Sequence, residues 1–325
     1  MRKRTLHAGL AAGLGLMGCL ILGGASAQEF PGQPIRFVTG LPAGSGADSF
    51  TRFIAEKMKE VSGATIVVEN RVGATGAIAM EFVARSKPDG YTAYLTAGSA
   101  TASANHIFKI PRVNVLEAFR IAGTINRMGF MIVLDGKSPH RTLQELTAAL
   151  KAKGDKGNYG VSATSGIVLA ETYKAIAGLE TGQVRFRAAG DTLNELAAGN
   201  LDFSSIDPGF SIPQHNAGRV RILAVSTGKR VESIPDIPTL EESGVKGVDQ
   251  TVWWCIALPK ATPDVIVNKI NSWLNEALRK PESKKFFNDA GGDIFISTPA
   301  EADVLFAQEV ANGGEYLRVA KIEKQ

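Results

Sequence analysis

One stretch constrains this chain more than any other: a strand that gives way to a small-residue loop and then to a helix start. Ile35-Arg36-Phe37-Val38-Thr39 is rich in β-branched residues, and Gly40-Leu41-Pro42-Ala43-Gly44-Ser45-Gly46-Ala47 follows with almost no side-chain bulk. Beyond Asp48, the residues Phe50, Ile54, Met58 and Val61 recur at helical spacing and predict a helix over Asp48–Val61. The first N–H groups of a helix lack internal partners and sit at its positive dipole end. Glycines let backbone approach a ligand, so this loop reads as a carboxylate site. A tight turn made by Gly44 and Gly46 alone stays open as the other reading. The segment has no Gly-Lys-Ser/Thr and lacks the third glycine of a dinucleotide fingerprint, which sets aside nucleotide binding.

The N-terminus reads as an export signal over residues 1–27. Arg2, Lys3 and Arg4 precede an apolar run from about Ala8 to Leu22, and Ala25-Ser26-Ala27 is a small-x-small cleavage site. A mature chain is expected from Gln28, in the periplasm. Losing three cations takes the formal net charge from +4 to +1. That leaves no bulk electrostatic case for nucleic acid or an anionic membrane. Leu16-Met17-Gly18-Cys19 loosely resembles a lipoprotein box, but Leu20-Ile21-Leu22 prolongs the apolar run past Cys19 and argues against a lipid anchor. The remaining cysteine, Cys255, lies in the apolar stretch Trp253–Leu258 and reads as a small core residue, so no disulfide within the chain is expected.

At 325 residues, two domains or one large one are expected. Strand–helix alternation continues down the chain. Strands are expected at Thr65–Glu69, Tyr91–Thr96, Ile121–Ile125, Phe130–Leu134, Gln183–Phe186, Leu201–Ser205 and Ile222–Ser226. Helices are expected at Ala77–Arg85, from Ser138-Pro139 to Lys153, from the loop at Gly166 to Ala177, and over Thr192–Ala198. Two further small-residue loops follow strands: Ala97-Gly98-Ser99-Ala100-Thr101-Ala102-Ser103, and Ser162-Ala163-Thr164-Ser165-Gly166. In open α/β sheets ligands collect outside the carboxyl ends of strands. Ile234-Pro235-Asp236-Ile237-Pro238 reads as a proline-bounded crossing segment, and after Leu258 the chain is expected to be helical to its end.

Several motifs then resemble, in order, those of the substrate-binding proteins of tripartite tricarboxylate transporters, the Bug family. Leu41-Pro42-Ala43-Gly44-Ser45-Gly46-Ala47-Asp48 resembles its FPAGGxxD loop. Val67-Val68-Glu69-Asn70-Arg71 with Gly73 and Gly76 resembles VVENRPGAGG, and Pro88-Asp89-Gly90-Tyr91-Thr92 resembles PDGYT. Leu223-Ala224-Val225-Ser226, Ile234 to Thr239, and Glu242-Ser243-Gly244 complete the series. The resemblance implies an α/β, two-lobed fold of the periplasmic-binding-protein kind (type II, Venus-flytrap) with hinge strands and C-terminal helices. Lobe 1 would comprise residues 28–127 plus 252–325, and lobe 2 residues 128–251. It also implies a monomer that captures a small carboxylate between the lobes. The ligand would pass to a large and a small membrane transporter subunit, or its capture would be reported to a sensor kinase.

The residues expected at the ligand are Leu41, Pro42, Ala43, Gly44, Ser45, Gly46 and Asp48 in the first loop, and Gly98, Ser99, Ala100 and Thr101 in the second. Ser162, Thr164, Ser165, Arg187, Ala188 and Asp207 are expected from the other lobe. Departures from the family pattern fall among them. Leu41 stands where Phe is usual, Leu169 sits near the place of a histidine, and Phe186-Arg187-Ala188-Ala189 replaces Tyr-Lys-Gly-Ser. Arg187 is read either as a clasp for a second carboxylate or as a surface partner of Asp191 or Glu195. Asp48 and Asp207 are each read as a ligand contact or a helix cap. Trp253 and Trp254 are read as packing or as a stacking surface. A carboxylate with at least one further polar group is the expected ligand.

No enzyme, cofactor or metal is expected. Outside the leader the histidines are His106, His140 and His215, none within a Gly-x-Ser-x-Gly elbow, a His-Glu-x-x-His helix or a Cys-x-x-Cys pair.

Overall fold

The structure is a computed structural model, and it describes residues 30–107, 113–186 and 188–319. The expected leader, its cleavage site, Cys19 and Arg187 lie outside the described residues.

The chain opens with β1 (Ile35–Thr39), α1 (Gly46–Ser62), β2 (Ile66–Asn70), α2 (Ala77–Ala84), β3 (Thr92–Ala97), α3 (Gly98–Ile107), α4 (Val115–Ala118) and β4 (Phe119–Gly129). A second unit follows: β5 (Met131–Asp135), α5 (Leu143–Lys153), β6 (Asn158–Val161), α6 (Thr164–Ala177), β7 (Gly182–Arg185), α7 (Ala189–Ala197), β8 (Phe203–Ile206), α8 (Pro208–Asn216) and β9 (Val220–Val225). The chain closes with β10 (Thr251–Pro259), α9 (Asp264–Leu278), α10 (Pro281–Asp289), β11 (Asp293–Ile294) and α11 (Pro299–Val319).

Two mixed sheets result, in the strand orders β11-β4-β10-β3-β1-β2 and β7-β6-β8-β5-β9. Strand β1 runs parallel to β2 and β3, and β10 is antiparallel to β3 and β4. Alternation along each strand sends successive side chains to opposite faces. In the first sheet Phe37, Leu95 and Ile256 pack under Ile54 and Met58 of α1 and Leu274 of α9. On its other face Val38, Tyr94 and Trp253 meet Met80 of α2 and Phe306 of α11. The second sheet is likewise covered on both sides, by α5 and α6 and by α7 and α8.

The two sheets are joined at one knot of backbone. Phe130 alone separates β4 from β5, and Ser226 follows β9 directly. The Ser226 hydroxyl accepts the Phe130 N–H at 2.9 Å and donates to the Gln250 carbonyl at 2.5 Å. The Ser226 carbonyl in turn accepts the Gln250 N–H at 2.8 Å. A side chain at Gly129 would collide with this knot, its Cβ falling 2.7 Å from Thr227 Cγ2.

Four sequence expectations change. The stretch 97–103 is not a loop but the last residue of β3 and the first turns of α3. Gly98 starts the helix, and the hydroxyls of Thr101 and Ser103 bond back to the Ala97 and Ser99 carbonyls at 3.1 and 2.9 Å. Helix α5 begins at Leu143, not at Ser138. Thr142 caps the Glu145 N–H, and Glu145 reaches back to the Arg141 N–H, which fixes the start there. Ile234–Pro238 does not cross between sheets; it runs beside β9, where Val225 donates to the Pro238 carbonyl. The tail is interrupted by β11, which pairs with β4.

Candidate functional site

The first loop is built to hold its own shape. Gly44 adopts φ +80°, which brings its N–H to Asp48 Oδ2 at 2.9 Å. Ser45 caps α1 by accepting the Asp48 N–H at 3.2 Å, and the Ser45 N–H reaches the Pro42 carbonyl at 3.1 Å. Asp48 is buried and also accepts from Arg52 Nε at 2.9 Å and Asn70 Nδ2 at 2.8 Å. The Arg52 hydrogen bond first, with those of Gly44 and Asn70, holds the Asp48 carboxyl down to about 2 against the opposing pull of burial. Asn70 also donates to the Leu41 carbonyl at 3.0 Å. The N–H groups of Gly44, Ser45 and Asp48, read from sequence as anion donors, are thus engaged within the loop. Leu41, Pro42, Ala43 and Gly44 remain exposed at its surface, and Gly46 is the first residue of α1.

Other helix starts differ. A helix N-terminus is ordinarily closed by a capping oxygen or balanced by an acid in its first turn. That holds for α1 (Ser45, Asp48), α5 (Thr142, Glu145), α7 (Asp191) and α8 (Asp207). First-turn acids also stand in α4, α9, α10 and α11. Two helix starts are left open among the described residues. Helix α2 runs on from a 3-10 turn, Ala74–Gly76, whose Ala74 carbonyl takes the Ala77 N–H, but α3 starts after Ala97 and α6 after Ala163, and neither carries a first-turn acid. Their partial positive ends are open.

These starts sit where the sheets meet. Ala100 and Thr101 of α3 line one cavity of about 200 Å³ together with Gly76, Ala77 of α2 and Leu41. Ala97, just before α3, pairs with Trp254 of β10. Four residues before Trp254, Gln250 donates its Nε2 to the Ser165 carbonyl, in the first turn of α6, at 3.2 Å. Gly166 presses on the same region, since a Cβ there would lie 2.7 Å from the Ser205 carbonyl and 3.4 Å from the Phe130 ring. Buried hydroxyl oxygens of Ser99 and Ser205 have no hydrogen-bond partner among the described residues.

Of the sequence-predicted residues, Leu41, Ala100 and Thr101 meet in the cavity, and Gly98 and Ser99 begin the helix beside it. Ser162 precedes α6, while Thr164 and Ser165 form its first turn. Ala188 is the N-cap of α7 and supplies no capping side chain; its N–H goes to Asp191 at 3.2 Å. Asp207 caps α8 by accepting the Phe210 N–H at 3.0 Å, and burial pushes its carboxyl up from the usual range. That helix start packs against the turn before β11: a Cβ on Gly291 would fall 2.4 Å from Pro208 Cβ. Trp253 and Trp254 point to opposite faces of the first sheet, edge-on to Phe306 and Phe50 respectively, and Trp254 also lines the cavity. Cys255 is fully buried, which raises its thiol well above the ordinary value.

The sequence reading passed over Met80, Tyr94 and Ala104 in the cavity, and Gln250 at the junction. The missing cap before α6 was legible, since Ala163 stands where a capping residue is usual. No group of three or more His, Cys, Asp or Glu that could hold a metal occurs among the described residues, and no helix there is long and apolar enough to cross a membrane.

The chain is similar over most of its length to known proteins. A UPF0065 protein of Bordetella bronchiseptica is 28% identical over 301 residues, covering 92% of this chain and 89% of its own. Protein BugT of Bordetella pertussis is 26% identical over 290 residues, covering 88% of each. The structure of the periplasmic binding protein BugD superposes with a TM-score of 0.73 at 27% identity, over 91% of this chain and 100% of that one. An R. palustris structure with adipate gives 0.78 at 25% identity, over 91% and 100%. The two-lobed α/β fold is shared with these structures, one a periplasmic binding protein and the other solved with adipate. The family described as the tripartite tricarboxylate transporter family receptor matches residues 50–320, and this chain belongs to it.

Proposed function

We propose that this protein is a periplasmic solute-binding protein that captures a small organic carboxylate between its two lobes and delivers it to a tripartite tricarboxylate-type secondary transporter. The single observation that carries the reading is the set of open helix starts. Helices α3 and α6 alone among the described α-helices start with neither cap, preceding turn nor first-turn acid, and they flank the junction of the sheets. A carboxylate supplies both the missing acceptor and the missing charge. Each charge-assisted hydrogen bond is worth about 1.5–3 kcal/mol, and a few of them, less the cost of closure, leave about −8 kcal/mol, a micromolar dissociation constant.

The lobes in this reading are residues 28–127 with 252–325, and 128–251, turning about the Phe130–Ser226–Gln250 knot. A ligand touching both walls stabilises the closed form. Residues 1–27 direct export and are removed, the released chain acts as a monomer, and the large and small membrane subunits receive the ligand from it. The adipate bound by the R. palustris neighbour is consistent with an acid ligand here.

A thermal-shift screen of mono-, di- and tricarboxylates, aromatic acids, a neutral sugar and a metal ion tests the reading. At a hundred times its dissociation constant, a true ligand adds about 2.7 kcal/mol of stability. Protection by the sugar or the metal, with none from any acid, would overturn it.

A further inference from the structure

An open groove of about 990 Å³ lies at the end of the first sheet away from the junction. Arg36, near the start of β1, and Thr92, at the start of β3, sit side by side in it. The carboxyl ends of the same two strands, Thr39 and Ala97, line the smaller cavity instead. Helix α2 begins at Ala77, beside that cavity, and runs outward to bring Phe82 and Arg85 to the groove. A molecule seated in the groove therefore leaves the junction clear.

The groove combines exposed apolar side chains with a surplus of cations. Helix α2 packs over β3, β10 and β1, and β2 is the outer strand of the sheet. Val67 of β2 is consequently 49% exposed, and Ile78 across from it on α2 is 45% exposed. The Arg36 and Arg71 guanidiniums lie 5.5 and 3.4 Å from the centre of the Phe82 ring. Both share one carboxylate, Glu69, at 3.8 and 2.6 Å. Arg85 reaches Glu81 at 3.6 Å, and Asp89 accepts the Tyr91 N–H at 3.1 Å. Lys87 has no acid partner among the described residues. Arg36, Arg71, Arg85 and Lys87 thus outnumber Glu69, Glu81 and Asp89, and each of those acids is already engaged.

Exposed apolar side chains ringed by cations fit a partner that brings an apolar side chain among acids. A second copy of this chain fits poorly, because a two-fold contact would set Arg36, Arg85 and Lys87 against their own images. A lipid surface fits poorly too, since outside residues 1–27 the formal net charge is only +1, too little for a broad positive field. We infer that this groove is where the membrane subunit that receives the ligand docks, through an acidic segment carrying an apolar anchor. The inference rests on the delivery step of the reading above. From Arg36 to Thr39 along β1 is about 10 Å, so docking and capture are referenced to the same rigid strand.

Biolayer interferometry of the mature protein on nanodiscs holding the large and small membrane subunits tests it, with Arg85→Glu/Lys87→Glu as the charge-reversed variant. Val67→Asp, at an exposed apolar position in the groove, is the second variant. Each is expected to lose about tenfold or more in docking affinity, and docking of the parent protein to weaken with added salt. Melting temperature and carboxylate protection should stay those of the parent. Variants that dock like the parent would overturn this inference and leave the delivery reading standing. Tighter docking after charge reversal would overturn it too. So would equal binding to empty anionic nanodiscs, which assigns the groove to lipid, or a parent dimer that the variants dissolve, which assigns it to a second copy. If the parent protein does not dock, liganded or free, both fall.

Discussion

Gln250 Nε2 donates to the Ser165 carbonyl at 3.2 Å. One side chain thereby fastens the first turn of α6, in the second unit, to the segment that becomes β10 of the first. Four residues on, Trp254 pairs with Ala97 at the foot of α3. The two helix starts are referenced to the same short piece of backbone, so their separation is set by the fold and not by long loops.

Replacing Gln250 with Ala removes that fastening. One part-buried neutral hydrogen bond contributes about 0.5–1.5 kcal/mol, so the melting temperature should move little. Carboxylate affinity should fall several-fold, because the α6 start is no longer held in place. Titration calorimetry beside thermal melts checks this; a large loss of stability with unchanged affinity would contradict it.

Ala163→Asp should move stability and binding in opposite directions. An aspartate at the N-cap of α6 supplies the missing acceptor and stabilises the ligand-free protein by about 1 kcal/mol. The same carboxylate occupies the N–H groups and repels an anionic ligand, so protection by carboxylates should disappear. A variant that is stabilised and still binds normally would remove α6 from the site.

Asp48 gives a pH signature. Its folded-state carboxyl is held down to about 2 from an ordinary 3.8. Stability from the ionised form is therefore complete above pH 4 and is lost as pH falls toward 2. Arg52 is half-exposed, with side-chain exposure of 52%, so screening trims the contribution to about 1–2 kcal/mol. Urea melts of the parent and Asp48→Asn between pH 5 and pH 2 should converge on acidification; a gap that stays constant with pH would sink this assignment.

Lys174 and Glu171 form a buried pair on α6, 2.8 Å apart with side-chain exposures of 11% and 9%. The Tyr159 hydroxyl donates to the same Glu171 oxygen. Lys174→Met strands a carboxylate in the core and should cost about 3–5 kcal/mol, while adding Glu171→Gln should recover much of it. Equal losses for the single and double variants in chemical denaturation would contradict the pairing.

Much of the first unit was legible because its signals are local. The spacing of Phe50, Ile54 and Met58 placed α1, and β1 ends at Thr39 as its pattern implies. Small residues were less informative. Gly98-Ser99-Ala100-Thr101 reads as a loop by composition, yet it is helix, because nothing in it forbids helix and its hydroxyls bond back along the chain. The two-residue β11 was invisible, since its pairing with Asn126 and Arg127 is wholly non-local.

Sequence by itself determined the alternation of strands and helices, the turn at Gly44 and the family to which the chain belongs, because each depends on neighbours along the chain. Tertiary structure decided which helix starts are open. Asp48 looked available until Arg52 and Asn70, four and twenty-two positions away, were folded onto it. Met80, Ala104 and Trp254 came to border one cavity only when two helices and a returning strand were packed together. A binding surface is a sum of distances between residues far apart in the chain, and those distances are set by packing.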